Sequence, residues 1–518
     1  MIAAMSEVVD LQAMDEGQVR QMLASMLTQI SARDATIRFK QALIDKLTHE
    51  NAVLKRLKFG LKSEKMNAEQ RSLLDETLDA DLAAVSDEIA LAVPESAAAK
   101  DKQTPKRQAL PAELPRQTFA HEPESTVCTA PGCGAQMKRI GEDVSEKLDY
   151  VPGVFSVHRH VRGKWACACC QNLVQVPVEP HVIDKGIPTP GLLAQVLVNK
   201  FADHLPLYRQ EAIFGRAGVA IPRSTLAQWV GSCGVELQPL VDALKQDILR
   251  RSVIHADETP VQMLKPGKGK THRAYLWAYA AGAHEDIKAV VYDFCESRAG
   301  ANAKAFLEEW RGSLVVDDFS GYKQLMGDSP GQITEVGCWA HARRKFHDLQ
   351  LANQSQIAEQ AVRQMAQIYA VEREVKELSS EERLAIRQDK SQPLVQTLYE
   401  WLVLNRQKVP EGSATAKAID YSLRRWRALT RFLEDGQLPM DNNWIENQIR
   451  PIAIGRNNWL FAGSLRGGQR AAAVMSLIQT AKLNGHDPHA YLKDVLTRLP
   501  MHMNSRIEEL LPHRWSPA

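Results

Sequence analysis

Residues 251–259, RSVIHADET, and 312–319, GSLVVDDF, are the stretches whose reading decides the fold. Each is a short β-branched run leading into acids, and AYLWAYAA (274–281) and KAVVYDF (288–294) between them are of the same kind. Turn signals separate the runs, and the helix-patterned AGANAKAFLEEW (299–310) precedes the last of them. Strands interleaved with helix predict an α/β core. Asp257 and Asp317 then stand 60 residues apart at strand ends, where α/β sheets place their ligand chemistry. A third acid, Glu446, follows 129 residues later in MDNNWIENQIRP (440–451). That segment reads as a helix start with Asp441 or Asn442 as its cap. Asn442, Glu446 and Arg450 then share roughly one face.

Three such carboxylates suit phosphodiester chemistry. The attacking water or 3′-hydroxyl must lose a proton, and the leaving oxygen must have its charge neutralised. Two hard cations about 3.5–4 Å apart serve both needs. Mg2+ prefers oxygen ligands and takes only a few of them from protein. An acid at a strand end also serves as a loop cap or ion-pair partner, and Glu258 and Asp318 stand directly beside the favoured pair.

Upstream, residues 188–237 read as helical. Within them YRQEAIFGRAGVAIPRSTLAQWV (208–230) has a helix, a Gly-centred turn and a second helix with Ser224 as N-cap. This is the outline of a helix-turn-helix, with Arg223 and Ser224 as candidate DNA contacts. Five of the 8 cysteines lie between Cys128 and Cys170. Cys128-x4-Cys133 and Cys167-x2-Cys170 flank KLDYVPGVFSVHRHVRGKW, which reads as two strands, and four such thiolates match structural Zn2+. Cys169 is an extra thiol able to replace either late ligand.

Before the cysteines, residues 34–65 read as a long helix. Ile37, Ile44 and Asn51 repeat at seven, as do Leu47, Leu54 and Leu61, with Lys40 and Lys58 interrupting the seam. The pattern suits either a self-associating coiled coil or a helix packed on its own domain. Residues 73–115, poor in aromatics, read as a linker with one weak helix.

The chain is 518 residues long, enough for several domains, with a net charge of only +2. Seven carboxylates and no Lys or Arg fall between Ser72 and Ala99, whereas Arg424, Arg425, Arg427 and Arg431 crowd one segment. Such segregation predicts a basic face beside an acidic tether, or simply solvated helices. No apolar run reaches the roughly 18–20 residues of a membrane span. The start, MIAAMSEVVD, has no signal-peptide pattern, so a cytoplasmic, nucleoid-associated protein is expected.

HADETPVQML, LVVDDFSGYKQL, EVGCWAHARRKFHDL and DNNWIENQIRPIAIGRNNWLFAGSLRGG resemble, in this order, the transposases of the insertion sequence sixty-six family. The likeness continues upstream through RLKFGLKSEKM, the paired cysteines and PRSTLAQWV. It implies a ribonuclease H-like catalytic core interrupted by an all-helical insertion. It also implies a zinc-binding domain, and Asp257, Asp317 and Glu446 as catalytic acids that bind Mg2+ or Mn2+. Two departures stand out: Asp317-Asp318-Phe319 where the family carries Asp-Gly-Tyr, and a first cysteine knuckle wider than usual. Cys338 and His341 form a C-x-x-H pair short of two further ligands for zinc, so packing of a strand-to-helix junction is expected there. Arg343, Arg344, Arg450, Arg456, Arg466 and Arg470 are candidate DNA contacts, the last two beside glycines that would let backbone approach a strand.

The expected organisation is an N-terminal helical and coiled-coil region (1–72), a linker (73–118), a zinc-binding domain (119–182) and a helix-turn-helix-like DNA-binding region (183–250). The catalytic core follows in two parts (251–349 and 436–472) around the insertion (350–435), and a helical segment (473–518) closes the chain. The implied function is a transposase that binds terminal inverted repeats, cleaves DNA and joins it to a target. It would work as a homo-oligomer through the 37–61 seam, with small accessory proteins of the same element and no membrane partner. The rival readings are a catalytically inactive zinc-containing DNA-binding regulator and a structure-selective nuclease.

Overall fold

The computed structural model describes residues 26, 33, 36, 37, 39–55, 68–92, 110–151, 153–183, 186–265, 271–328, 331–353 and 355–517. Helix α1 (39–55) packs Leu47 and Leu54 against Leu74, Leu78 and Val85 of α2 (Ala68–Ala92). Asn51 Nδ2 donates to Ser86 Oγ at 3.2 Å. Asn51, Leu47 and Leu54 of the expected seam are thus engaged by α2 of the same chain. Ile37 is exposed, and Leu61 lies outside the described residues.

Within the expected linker, residues 73–92 form part of a well-packed helix, α2, in place of the one weak helix expected there. Leu73, Leu74, Leu78, Ala84 and Val85 are buried, and so are Glu76, Asp79 and Asp81. Glu76 is held by Lys200 and the Leu207 N–H, Asp81 by Arg470 and Ser464. The acids made this stretch look solvated because their partners lie more than a hundred residues away. Gly231 makes the close packing possible, since a Cβ there would run into the Ala80 carbonyl.

Four strands follow, β1 (Arg116–His121), β2 (Lys138–Val151), β3 (Val154–Ala166) and β4 (Leu173–Val174), ordered β1-β3-β2 with β4 beside β3. The two expected strands are the β2–β3 hairpin, which turns at Gly153 with φ +89°. Helices α3 (Pro190–Phe201), α4 (Leu207–Arg216) and α5 (Arg223–Leu249) come next. The turn between α4 and α5 is where a helix-turn-helix would have it, but α5 is a central core helix. Leu226, Ala227, Trp229, Val230 and Cys233 are buried, and only a narrow stripe with Gln228, Gln238, Asp242 and Gln246 stays exposed beyond its first turn. Ser224 does not cap it. Pro222 holds the N-cap position, and the Arg223 N–H donates instead to Glu211 Oε1 at 3.0 Å.

The second sheet contains β5 (Val253–Leu264), β6 (Thr271–Ala281), β7 (Val290–Cys295), β8 (Gly312–Val316) and β9 (Ile333–Gly337), ordered β7-β6-β5-β8-β9. β7, β6 and β5 are antiparallel neighbours, while β8 and β9 run parallel to β5. Helices α6 (Gly300–Leu307) and α7 (Ser320–Asp328) flank β8 in the chain. Burial on both faces explains why these strands read as apolar runs without alternation. β9 was missed: ITEVG is five residues long and ends in glycine.

Helices α8 (Trp339–Asn353), α9 (Gln356–Glu374), α10 (Ser380–Ile386), α11 (Gln392–Arg406), α12 (Ala414–Arg424) and α13 (Trp426–Thr430) form a helical body whose core also takes in Val253, Val315 and Val336 of the sheet. Ala361, Met365, Ile368 and Val375 are buried in it, as the sequence pattern predicts. Inside it, Arg387 is fully buried and its guanidinium spans Glu372 and the carbonyls of Phe432 and Leu438. Helices α14 (Asn443–Gly455), α15 (Leu465–Leu483) and α16 (Pro488–Arg498) return to the main core. No described helix is long and apolar enough to cross a membrane.

Candidate active site

Strand register brings Asp257 and Asp317 side by side. Val253 lies opposite Ser313 and His255 opposite Val315. Carried two residues further, the same parallel register reaches Asp257 and Asp317. Asp257 is thus not at the end of β5, which continues to Leu264. It stands where the pairing with β8 stops and the two strands part. Glu446 comes from the first turn of α14, which packs on β5 and β6.

Electrostatics ties the three acids together. Burial, the adjacent Glu258, and the charges of Asp317 and Glu446 push the Asp257 carboxyl well above the usual range. Glu446 Oε1 is buried without a hydrogen-bond partner. Asp317 Oδ1 accepts from the Phe319 N–H at 2.9 Å. A buried Asp257 carboxyl raised by burial and by neighbouring acids, and an unpaired Glu446 oxygen, are features that a divalent cation would relieve. Glu446, however, meets Cys338 and His341 within 4.8 Å and not the two aspartates.

The neighbouring acids have other work. Asp318 pairs with Lys323 and with the buried Arg425, and Lys323 and Arg425 outweigh its burial to lower its pKa. Arg425 also reaches Glu335 at 2.7 Å, so Asp318 helps fasten the helical body to β9. Glu258 is gripped by Arg298 and by the Tyr322 hydroxyl at 2.9 Å. Asp318 is thus engaged by two cations, whereas among the described residues Asp317 Oδ1 takes only the Phe319 N–H. The pairing also removes Arg425 from the expected basic face.

His255 escaped the sequence reading. It shares a strand face with Asp257, two residues on, and is fully buried. Its Nδ1 lies 2.7 Å from Asn442 Oδ1, and Asn442 Nδ2 donates to Ala256 O at 2.9 Å. Asn442 is therefore the N-cap residue by position but spends its side chain on β5, while Asp441 Oδ1 accepts from the Asn443 N–H. Cys338 Sγ accepts from the Asn442 N–H at 3.2 Å, and burial pushes this thiol up to about 12. Cys338, as expected, packs a strand-to-helix junction. Yet its sulfur, a His341 nitrogen and a Glu446 oxygen also fall within 4.8 Å of one another, so folding supplies one of the two ligands the C-x-x-H pair lacked. His341 Nδ1 is 3.7 Å from Glu446 Oε1, and Arg344 Nη2 is 3.8 Å from Oε2.

The candidate DNA contacts divide. Arg343 and Arg344 on α8 and Arg450 on α14 are exposed. Arg456 instead braces β5 through Thr259 Oγ1 and Pro260 O. Arg466 pairs with Glu50 and Glu88, and the buried Arg470 with Asp81, so both hold the N-terminal helices down. Gly467 and Gly468 are equally committed, since a Cβ would strike Thr77 and Phe294 respectively.

In the cysteine module the four expected sulfurs converge. Cys128 and Cys170 are 3.2 Å apart, Cys133 and Cys167 are 3.6 Å apart, and all four ligand atoms lie within 4.8 Å. Cys169 is exposed and outside the quartet. Backbone N–H groups of Cys170 and Cys169 lower Cys167 to about 6, which favours thiolate. The arrangement fits tetrahedral Zn2+.

A profile described as "Transposase IS66 family" matches residues 185–470, over half of the chain. The chain belongs to the IS66 transposase family. Profiles for the IS66 C-terminal element, the zinc-finger binding domain of transposase IS66 and "Transposase C of IS166 homeodomain" match residues 476–513, 126–171 and 46–118. IS66 membership implies a DNA-processing enzyme with DNA as its partner, and the zinc-finger match agrees with the cysteine quartet. The uncharacterised Sinorhizobium fredii protein y4qI is 38% identical over 512 residues, covering 96% of this chain and 93% of that protein. Another from the same organism, y4jD, is 38% identical over 417 residues, 78% of this chain and 81% of that protein.

Proposed function

We propose that this IS66 member is a DDE-type transposase that binds the terminal inverted repeats of an insertion sequence, cleaves there, and transfers the freed 3′-end to target DNA. The observation that supports this reading is that Asp257 is raised by burial and by Glu258, and also feels the charges of Asp317 and Glu446. A sheet with three antiparallel strands followed by two parallel ones supports a ribonuclease H-like core. The helical body α8–α13 would be the insertion between its second and third acids.

The three acids would hold Mg2+ or Mn2+, which when bound supplies charge neutralisation at the phosphate and acidifies the attacking oxygen. The residues of the chain orient that donor set. The Phe319 N–H fixes one oxygen of Asp317, and the His255–Asn442 pair sets the start of α14 against β5. Exposed Arg343 and Arg344 would meet DNA phosphates. The acids bind metal and do not attack, so no covalent protein–DNA intermediate forms. Zn2+ on the cysteine quartet would shape the small module and take no part in the reaction. Because two ends must meet, the working form would be a homo-oligomer in the cytoplasm, at the nucleoid, aided by small proteins of the same element.

The test is cleavage of labelled end DNA by Asp317→Asn and Asp318→Asn. The first variant should lose Mg2+-dependent cleavage and keep end binding, and the second should keep both. Cleavage by Asp317→Asn at the wild-type rate would remove that residue from the triad.

A further inference from the structure

Between α8, α9 and the start of α14 lies a cleft of about 440 Å3 lined by Arg343, Arg344, His347, Tyr369, Arg373 and Asn443. Its volume falls within the roughly 300–1,000 Å3 typical of small-ligand pockets. Among the described residues no carboxylate lines it. By contrast Arg298, Arg387, Arg425 and Arg470 are each answered by an acid. Among the described residues Arg343 and Arg373 have no ion pair. Asp441, two residues before Asn443, accepts from the Tyr369 hydroxyl at 2.9 Å and from the Asn443 N–H at 3.0 Å. Asp441 thereby fixes the Tyr369 hydroxyl at the cleft, while Arg344 reaches toward Glu446 and Arg343 and Arg373 are not paired with Asp441.

The cleft also adjoins the triad. Asn443 stands one helical turn before Glu446, and Arg344 reaches to 3.8 Å from that acid. A strand whose phosphate lay at the triad would pass this cleft on one side. Guanidinium forks match phosphate oxygens, and an aromatic ring beside them offers a stacking face for a base. We propose that the helical body is a DNA-strand clamp: the cleft seats a nucleotide next to the scissile phosphate, its phosphates between Arg343 and Arg373 and its base against Tyr369. This rests on reading the triad as a phosphodiester site.

The test uses full-length zinc-loaded Glu446→Gln protein, so that binding is read without cleavage. Fluorescence anisotropy with a single-stranded oligonucleotide, across a salt series, would compare it with Arg343→Ala/Arg373→Ala in the same background. The control is Arg363→Ala, an exposed α9 residue paired with Glu359. Losing two charged phosphate contacts should weaken binding at least about tenfold. The slope of log affinity against log salt should drop by about 1.4. The control should change neither. End DNA carrying 5-iodouracil on one side or the other of the scissile position should crosslink to Tyr369 on irradiation, and the reactive position tells which side the cleft holds. Unchanged affinity and slope in the double variant, or crosslinks from both positions that avoid α8 and α9, would overturn the clamp. Failure of the triad reading would show separately, as cleavage persisting in Glu446→Gln.

Discussion

Asn442 Oδ1 lies 2.7 Å from His255 Nδ1, deep in the protein, and joins the strand of the first candidate acid to the helix of the third. Burial holds the imidazole neutral down to about 4, so at neutral pH Nδ1 carries the proton and donates it to Asn442. The amide's other end binds Ala256 O. One side chain therefore sets the spacing of Asp257 and Glu446 without itself being acidic.

Asn442→Ala should disturb that spacing. Supporting residues of this kind typically change metal affinity or activity about 10–100-fold when removed. The expected outcome is a loss of that size in end cleavage, partly recovered at raised Mn2+, with end binding retained. Wild-type cleavage at low Mg2+ would show that the pair only packs.

The raised Asp257 has a consequence for stability. Above about 3.9 the unfolded chain has released this proton while the folded, Mg2+-free protein retains it. The folded state then binds more protons, so stability falls as pH rises from there through the raised value. Asp257→Asn should therefore melt higher than wild type at pH 7 without Mg2+, and gain less from added Mg2+. Thermal melts with and without Mg2+ check both, and a variant that melts lower without Mg2+ would count against this account.

Zinc content should distinguish the adjacent thiols. Cys170→Ala should lose bound zinc and expose the hairpin to protease, whereas Cys169→Ala should keep one zinc per chain. Metal analysis after dialysis reads the difference; equal loss in both would mean that Cys169 exchanges into the quartet.

Arg470→Ala should act on stability and leave DNA affinity alone. It strips Asp81, fully buried, of its guanidinium, a loss on the order of 3 kcal/mol for a broken buried pair. Urea unfolding should show the loss, and the salt dependence of DNA binding should stay unchanged. A shallower salt slope with unaltered stability would return Arg470 to the DNA.

Much of this was legible in the sequence because it is local. Runs such as SLVVD and AYLWAYAA declare strands, and Ala361, Met365 and Ile368 declare a buried helix face. The four ligand cysteines declare themselves by spacing. What stayed hidden depends on distant partners. Arg466 and Arg470 look like free cations until Glu50, Glu88 and Asp81 fold against them, and Glu88 and Asp81 look like part of a tether for the same reason. Ser224 looks like a cap until Glu211, from the preceding helix, takes the N–H. Asp317 and Asp318 are indistinguishable until Arg425 claims one of them. His255 carried one usable signal, its place on the same strand face as Asp257.

The central claim is that Asp257, Asp317 and Glu446 act together on DNA. Its most direct test is a strand-transfer assay with labelled terminal-repeat DNA, a plasmid target and Mg2+ or Mn2+, supplemented with the element's companion proteins. Wild type should give joined products, and Glu446→Gln should give none while still binding the ends. Joining by Glu446→Gln at the wild-type rate, or end binding by wild type with no metal-dependent product at all, would contradict the account.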